Sequence, residues 1–453
     1  MIKRLFNKFQ KERDLTQGSI GKNLWILAVP MMISNMMQAA FNIVDMIWVG
    51  KLGPAALAAV SMSGSVLMIV MFVLIGLGVG TTALIARAIG EKDRPKADNI
   101  AMQSLIMGAI GSILFAALGY WLSPWLLKIL GADPEVLLLG TGYMRILFLG
   151  VIVMFYMFLI SAILQGAGDA ATPMIILLAT TLINIVLDPL LIFGLGPFPR
   201  LGVNGAALGT VLAEVIGSVI ALEILLKGRS RIHVRLKDFN IDLAKMWTIL
   251  KIGIPASFQM VLRGFLGIVL ITVVAKFGTT AVAAFGVGMR LHMLAMMPGF
   301  ALGMAAGTLV GQNLGAGQPA RAVASAWTAT AYYVIFMLFM TAVFVLFAPY
   351  IIMGFNNNAD VIRIGADFLK IASPGYVFIA LGLILGRALS GAGDTISPLV
   401  ITFLALWVIQ IPLAVFLAKT VGLGGIWYAF LIAYTFQGLA TAGWFMLGRW
   451  KGK

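Results

Sequence analysis

Met174-Ile-Ile-Leu-Leu-Ala-Thr-Thr-Leu-Ile-Asn-Ile-Val-Leu-Asp-Pro-Leu-Leu-Ile-Phe193 decides the fold. The run is as long as a helix must be to cross hydrocarbon, about 20 residues at 1.5 Å each. It holds no basic residue and one acid, Asp188. A carboxylate at such a position is costly unless it faces a cavity, water or a partner, and such residues generally carry function. Asn184 stands one turn earlier, and residues four apart share a helix face. Pro189 withholds a backbone donor and frees the carbonyl four residues before it, which makes a polar, bendable point. A second acid, Asp45, lies in Phe41-Asn-Ile-Val-Asp-Met46, inside another apolar run.

Such runs recur along the whole chain. Of its 453 residues, 61% are hydrophobic and 11% are charged, whereas a soluble domain carries about 25% charged residues. The runs do not alternate with period two, which argues against a membrane barrel and for an all-α, polytopic membrane protein. Twelve transmembrane helices are expected, near 23–50, 56–87, 98–122, 136–163, 173–195, 203–227, 247–275, 281–312, 321–347, 361–388, 397–419 and 424–447. There is no cysteine, and two histidines, His233 and His292, are too few for a histidine metal site, so no cofactor is expected. No clustered catalytic set appears, and the chain does not read as an enzyme.

The net charge of +15 would suit nucleic acid. Its placement favours a membrane instead. Most of the 32 Lys and Arg fall in the tails and even-to-odd loops or at adjoining helix ends, including Arg87 to Lys96, Lys227 to Lys251 and Arg449 to Lys453. The opposite loops carry single residues such as Lys51, Lys128, Arg200, Lys276 and Lys419. The positive-inside rule then puts both termini in the cytoplasm of a multi-pass cell (inner) membrane protein. Within the basic segment 1–22, Ile2, Leu5, Phe6 and Phe9 recur at helical spacing among Lys3, Arg4, Lys8 and Lys11. That pattern fits a helix lying on an anionic leaflet or a disordered basic tail. Membrane lipid is an expected partner and nucleic acid is not; the chain is expected to act as a monomer.

The sequence is an internal duplication. Shifted by 225 residues, it matches without a gap from Pro30/Pro255 to Pro173/Pro398. Gly166-Ala-Gly-Asp169 meets Gly391-Ala-Gly-Asp394, and Pro124 meets Pro349. Two repeats of six helices have parallel topology, a transporter-like build with two lobes. The expected divisions are 23–227 for an N-lobe, 228–246 for a cytoplasmic linker, 247–447 for a C-lobe and 448–453 for a cytoplasmic tail. The lobes differ at the acids: Asp45 corresponds to Leu270 and Asp188 to Leu413. Gln38 and Asn42 correspond to Arg263 and Gly267. On the first helix Gln38, Asn42 and Asp45 form an i, i+4, i+7 stripe, and Tyr143 and Thr210 lie at a depth similar to that of the acids. A polar pocket in the outer half of the N-lobe is expected.

At these residues the chain resembles the multidrug and toxic compound extrusion (MATE) family. The resemblance rests on Pro30-Met-Met32, Asp45 before Trp48-Val49, Gly76-Leu-Gly-Val-Gly-Thr81, Ile85-Ala-Arg87 with Gly90, Gln165-Gly-Ala-Gly-Asp169 and Asn184-Ile-Val-Leu-Asp-Pro189. Pairing the first-helix acid with Asn184 and Asp188 is similar to the DinF-like branch. The resemblance implies a V-shaped pair of six-helix lobes and an antiporter that extrudes lipophilic or cationic organic compounds in exchange for H⁺ or Na⁺. It implies a cation or proton site at Asp45, Asn184, Asp188 and Thr210, with Gln38, Asn42 and Tyr143 near it. A lipid-linked or polysaccharide flippase is the alternative, kept open by Arg263 and Arg290.

Other polar residues carry weaker signals. Glu214 and Arg290 lie mid-helix and are candidate cavity or supporting residues: Glu214 reads as a third titrating group or a neutral, hydrogen-bonded acid, and Arg290 as a charge-relay or cavity residue or a structurally paired one. His292 reads as a packing residue. Gly76-Leu-Gly-Val-Gly80 looks like a dinucleotide loop but stands inside a membrane helix, where helix packing or a hinge is the better reading. Asp169 and Asp394 are placed to cap the helices that follow them.

The inferred topology predicts that single cysteines placed at Lys128, Arg200 and Lys419 label from outside. Those at Arg94, Arg231 and Lys451 should label from the cytoplasm alone. Outside labelling at position 231 would overturn the twelve-helix arrangement.

Overall fold

The computed structural model describes residues 14–228, 230–235, 237 and 240–452. The candidate amphipathic segment around Ile2 to Phe9 lies outside the described residues, as do Arg229 of the linker and Lys453 of the tail. The described residues form helices and no strand. Twelve helices are long and apolar enough to span a membrane: α1 Ile20–Gly50, α2 Pro54–Gly90, α3 Arg94–Ile129, α4 Pro134–Gly166, α5 Ala171–Phe193, α6 Val203–Leu226, α7 Leu243–Phe277, α8 Thr279–Gly315, α9 Pro319–Met353, α10 Ala359–Gly391, α11 Ile396–Thr420 and α12 Leu423–Met446.

Most helices outrun their apolar stretches because their caps are polar. The α3 helix starts at Arg94 because the Asp93 carboxylate accepts from the Lys96 N–H at 3.0 Å and Pro95 fits the first turn. Asp169 accepts from the Ala171 and Thr172 N–H groups at 3.1 and 2.9 Å, and Asp394 accepts from the Ser397 N–H at 3.3 Å. Two spans are not continuous α-helix. The α10 span tightens to a 3₁₀ turn at Ser373–Gly375, where Pro374 removes a backbone donor, and α11 holds a π-helical stretch, Leu404–Gln410, before Pro412.

The chain divides into two compact units. One is built mainly from Val29–Gly253, called here the N-unit; the C-unit comprises Leu15–Ala28 and Ile254–Lys453. The divisions fall beside Pro30 and Pro255, which are repeat counterparts. The N-terminal turns of α1 therefore belong to the C-unit and those of α7 to the N-unit. In the C-unit, Gly21 lies under the Tyr332 hydroxyl, and Arg321 Nη2 donates to the Gly18 carbonyl at 2.8 Å. In the N-unit, Gly253 lies against the Gly76 carbonyl, and Gly80 against the Ile249 carbonyl. The glycines of Gly76-Leu-Gly-Val-Gly80 thus serve close helix packing, with Gly78 facing the Phe158 ring.

Within the N-unit α4 is central, packed along α2, α3 and α6; in the C-unit its counterpart α10 packs along α8, α9 and α12. Phe148, Phe155, Leu159 and Ile163 of α4 meet Val70 and Leu74 of α2 and Leu105 of α3 in one apolar cluster. The linker is held to α3 by polar contacts. The His233 N–H donates to Asp98 Oδ1 at 2.8 Å, Gln103 Nε2 to the Asn240 carbonyl at 2.6 Å, and Lys245 Nζ to Asn99 Oδ1 at 2.9 Å.

Candidate functional site

The site begins with a seam of small residues. Gly205, Gly209, Ala213 and Gly217 recur every fourth residue on α6 and let α5 approach closely. Gly205 lies on the Leu191 backbone, Gly209 on the Asp188 carboxylate and Gly217 on the Thr180 methyl group. That approach sets Thr210 beside Asn184. Asn184 Nδ2 donates to Asp188 Oδ1 at 2.8 Å and to Thr210 Oγ1 at 3.4 Å. Asp188 is 0% exposed and Asn184 1%.

Asp45 of α1 completes the group. It lies within electrostatic range of Asp188, and both acids act on the buried Tyr143 of α4. Val49, Val60, Tyr143, Ile192, Val203 and Ala206 form an apolar cluster beside the site. Near the C-terminal end of α1, the Trp48 and Phe193 rings meet edge-on at 6.1 Å, and the Lys51 ammonium stands 4.3 Å over Trp48.

Three oxygens define what this arrangement can do. Asp45 Oδ1, Asn184 Oδ1 and Asp188 Oδ2 are sealed from solvent and accept no hydrogen bond. An unmade buried hydrogen bond costs about 1–3 kcal/mol, and more for a charged group. The Asn184 amide spends its N–H group on Asp188 and Thr210, which leaves its carbonyl oxygen without a donor. A proton on either acid removes the uncompensated charge there. A small hard cation would instead find oxygen ligands, which Na⁺ prefers to nitrogen or sulfur. Among the described residues no group of three or more His, Cys, Asp or Glu could hold a metal; the pocket combines two acids with an amide and a hydroxyl.

The remaining candidates are dispersed. Gln38 and Asn42 are exposed on α1 and form no hydrogen bond to the acids. Glu214 lies one turn beyond Thr210 on α6, partly buried. Arg290 is exposed on α8 and belongs to the C-unit, as does the partly buried Arg263. The counterpart positions Leu270 and Leu413 carry no polar atom in their side chains, and Leu270 is buried at 1% exposure. Sequence reasoning did not single out Gly209, whose missing side chain admits the Asp188 carboxylate; the four-residue recurrence of small residues was the available signal. It also passed over Arg387, a lone cation in Gly382-Leu-Ile-Leu-Gly-Arg-Ala-Leu389.

Gly209→Ala places a methyl group against the Asp188 carboxylate, whereas the same change at Gly64 meets nothing within 4 Å. The first should lower the melting temperature of the purified protein by several degrees, at a cost of about 1–2 kcal/mol. The second should lower it by far less. Equal melting of the two variants would mean that the carboxylate is not held against α6.

Comparison with known proteins shows what the chain is similar to. The MatE family model matches residues 30–190 and again 255–416, one match in each repeat. A probable multidrug resistance protein, YpnP of Bacillus subtilis, is 29% identical, covering 97% of this chain and 98% of its own. The probable multidrug resistance protein NorM of Thermotoga maritima is 28% identical, covering 99% of this chain and 96% of its own. A crystal structure of MATE in the bent conformation superposes with a TM-score of 0.90 at 28% identity, covering 96% of each chain.

Proposed function

The chain belongs to the MatE family of multidrug and toxic compound extrusion transporters, and on that premise we propose that it exports organic, cationic compounds in exchange for H⁺ or Na⁺. Asp45, Asn184, Asp188 and Thr210 are the coupling site. The observation that carries this reading is the set of three buried, unpartnered oxygens on Asp45, Asn184 and Asp188. Gln38, Asn42, Tyr143 and Glu214 line or support the route that cargo takes through the N-unit, and Arg290 does so in the C-unit. The protein works as a monomer in the inner membrane, with both termini in the cytoplasm.

Joint ionisation of two acids in one poorly solvated pocket is disfavoured. A proton or Na⁺ relieves that repulsion and draws α1 toward α5. The drawn-in state suits cargo less well, so cargo and ion oppose each other's binding, and linkage makes the opposition reciprocal. The drive is adequate. One H⁺ moving down 100 mV releases ~2.3 kcal/mol and one pH unit adds ~1.4 kcal/mol. Together these sustain a roughly 500-fold gradient of a neutral cargo at one-to-one exchange. A monovalent cation loses the voltage contribution at that stoichiometry.

A fluorescent organic cation should bind purified protein less tightly as pH falls or as Na⁺ rises. Asp45→Asn and Asp188→Asn should flatten that dependence and abolish dye efflux from proteoliposomes. Leu270→Asn and Leu413→Asn should retain most of both. An unchanged pH and Na⁺ dependence in both acid variants would remove these residues from the coupling.

A further inference from the structure

The C-unit holds two partly buried arginines within its membrane-spanning helices. Arg263 lies midway along α7, and Arg387 lies in the second half of α10. Both line one narrow cleft with Gln259, Met260, Phe300 and Leu383. The two guanidinium groups are within electrostatic range of each other, and Arg263 is also within range of His292 and Tyr434. Arg263 Nε is sealed from solvent without a hydrogen-bond partner. Among the described residues neither arginine forms an ion pair.

The acids of the C-unit are engaged elsewhere or exposed. Asp360 pairs with Arg363 at 2.9 Å, Asp367 is exposed, and Asp394 accepts from Ser397 Oγ at 2.9 Å and Trp444 Nε1 at 3.2 Å. The Gln259 amide N–H group is spent on the Pro398 carbonyl at 3.0 Å and on Thr402 Oγ1 at 2.9 Å. Gly303 and Gly307 of α8 leave room for the Arg387 stem and backbone, so this cation has a fitted place. Two like charges held together in a membrane interior, with no acid beside them, are unfavourable without a ligand.

We propose that this cleft binds the phosphate group of an organic phosphate, held between Arg263 and Arg387. A guanidinium donates two parallel hydrogen bonds to phosphate oxygens, and two arginines match its two negative charges. Met260, Phe300 and Leu383 supply apolar wall for the organic part that follows. The cleft as it stands has room for about 10 Å³, about one water's worth, so the long arginine and methionine side chains swing outward to admit a phosphate. The site stands on the C-unit alone and does not depend on ion coupling at the N-unit. It also separates the repeats chemically, since Arg263 and Arg387 correspond to Gln38 and Ala162.

The test titrates purified full-length protein, by calorimetry or native mass spectrometry, with adenosine monophosphate against adenosine. A second arm uses detergent-dispersed phosphatidylglycerol against diacylglycerol. At least one phosphate-bearing probe should bind in preference to its phosphate-free counterpart, with affinity falling as salt rises. Arg263→Gln and Arg387→Ala carry the residues of the other repeat and should each weaken binding about tenfold or more, while Arg263→Lys keeps part of it. Binding of the nucleotide assigns the site to soluble phosphates, and binding of the lipid alone assigns it to a headgroup. Equal affinity in the wild type and both variants, each melting as the wild type does, overturns the proposal. So does a lack of preference for phosphate in both arms.

Discussion

The close approach of α5 to α6 is the constraint on which the N-unit site depends. Asp188 is fully buried, and it stands there because Gly209 offers it room and Asn184 offers it one hydrogen bond. One neutral donor does not replace the hydration of a carboxylate. The second oxygen of Asp188 stays bare, as does one oxygen of Asp45. A structural acid would have been paired with a lysine or arginine, or given several donors, as Asp169 is by the Ala171 and Thr172 N–H groups and Asp394 by the Ser397 N–H and hydroxyl and Trp444 Nε1. The contrast within one chain separates acids that hold the fold from acids kept under-satisfied.

Much of this site was legible in the sequence. Asn184 and Asp188 share a helix face by spacing, and both acids face leucine positions in the other repeat. What spacing does not show is which oxygen stays bare, because that follows from the way the Asn184 amide turns. The i, i+4, i+7 stripe on α1 gave a shared face but not a shared contact. It joined Gln38 and Asn42 to Asp45, yet those two residues are exposed and form no hydrogen bond to the acids. At 100° per residue the three lie within about 60° of one another, but they span about 10 Å along the axis, so they need not meet one neighbour. The twelve spans were legible from hydropathy, but their ends were not, since caps such as Asp93 and Pro95 are polar or neutral. The 3₁₀ turn at Ser373–Gly375 had its signal in Pro374, and the π-helical stretch before Pro412 had one in that proline.

Arg387 was missed for a different reason. Near the inner end of a helix, a lone arginine reads as one more positive-inside charge. The structure instead lays its stem along Gly303 and sets its charge near that of Arg263. Position along a helix gives depth but not facing, and facing separates an interfacial anchor from a cavity-lining cation. The duplication held a clue, because Arg387 stands against Ala162. A charge gained or lost in one repeat is a stronger signal than a charge at a given depth.

The same duplication bears on how a change at the N-unit acids would be absorbed. Asp45 lies on α1 about 22 Å along the helix from Pro30, at 1.5 Å per residue. The N-unit portion of α1 begins at Val29, one residue before that proline. Pro30 cannot donate to the Ile26 carbonyl, and Ser34 Oγ donates back to the Pro30 carbonyl at 3.0 Å, which further loosens the local ladder. The helical ladder of α1 is thus weakened where the part that carries Asp45 meets the turns held in the C-unit. Pro255 gives α7 the same break at its own division, but Leu270 stands where Asp45 does, so α7 carries no acid at that position to drive it. Both repeats retain the proline, and the N-unit repeat alone has a carboxylate fifteen residues beyond it.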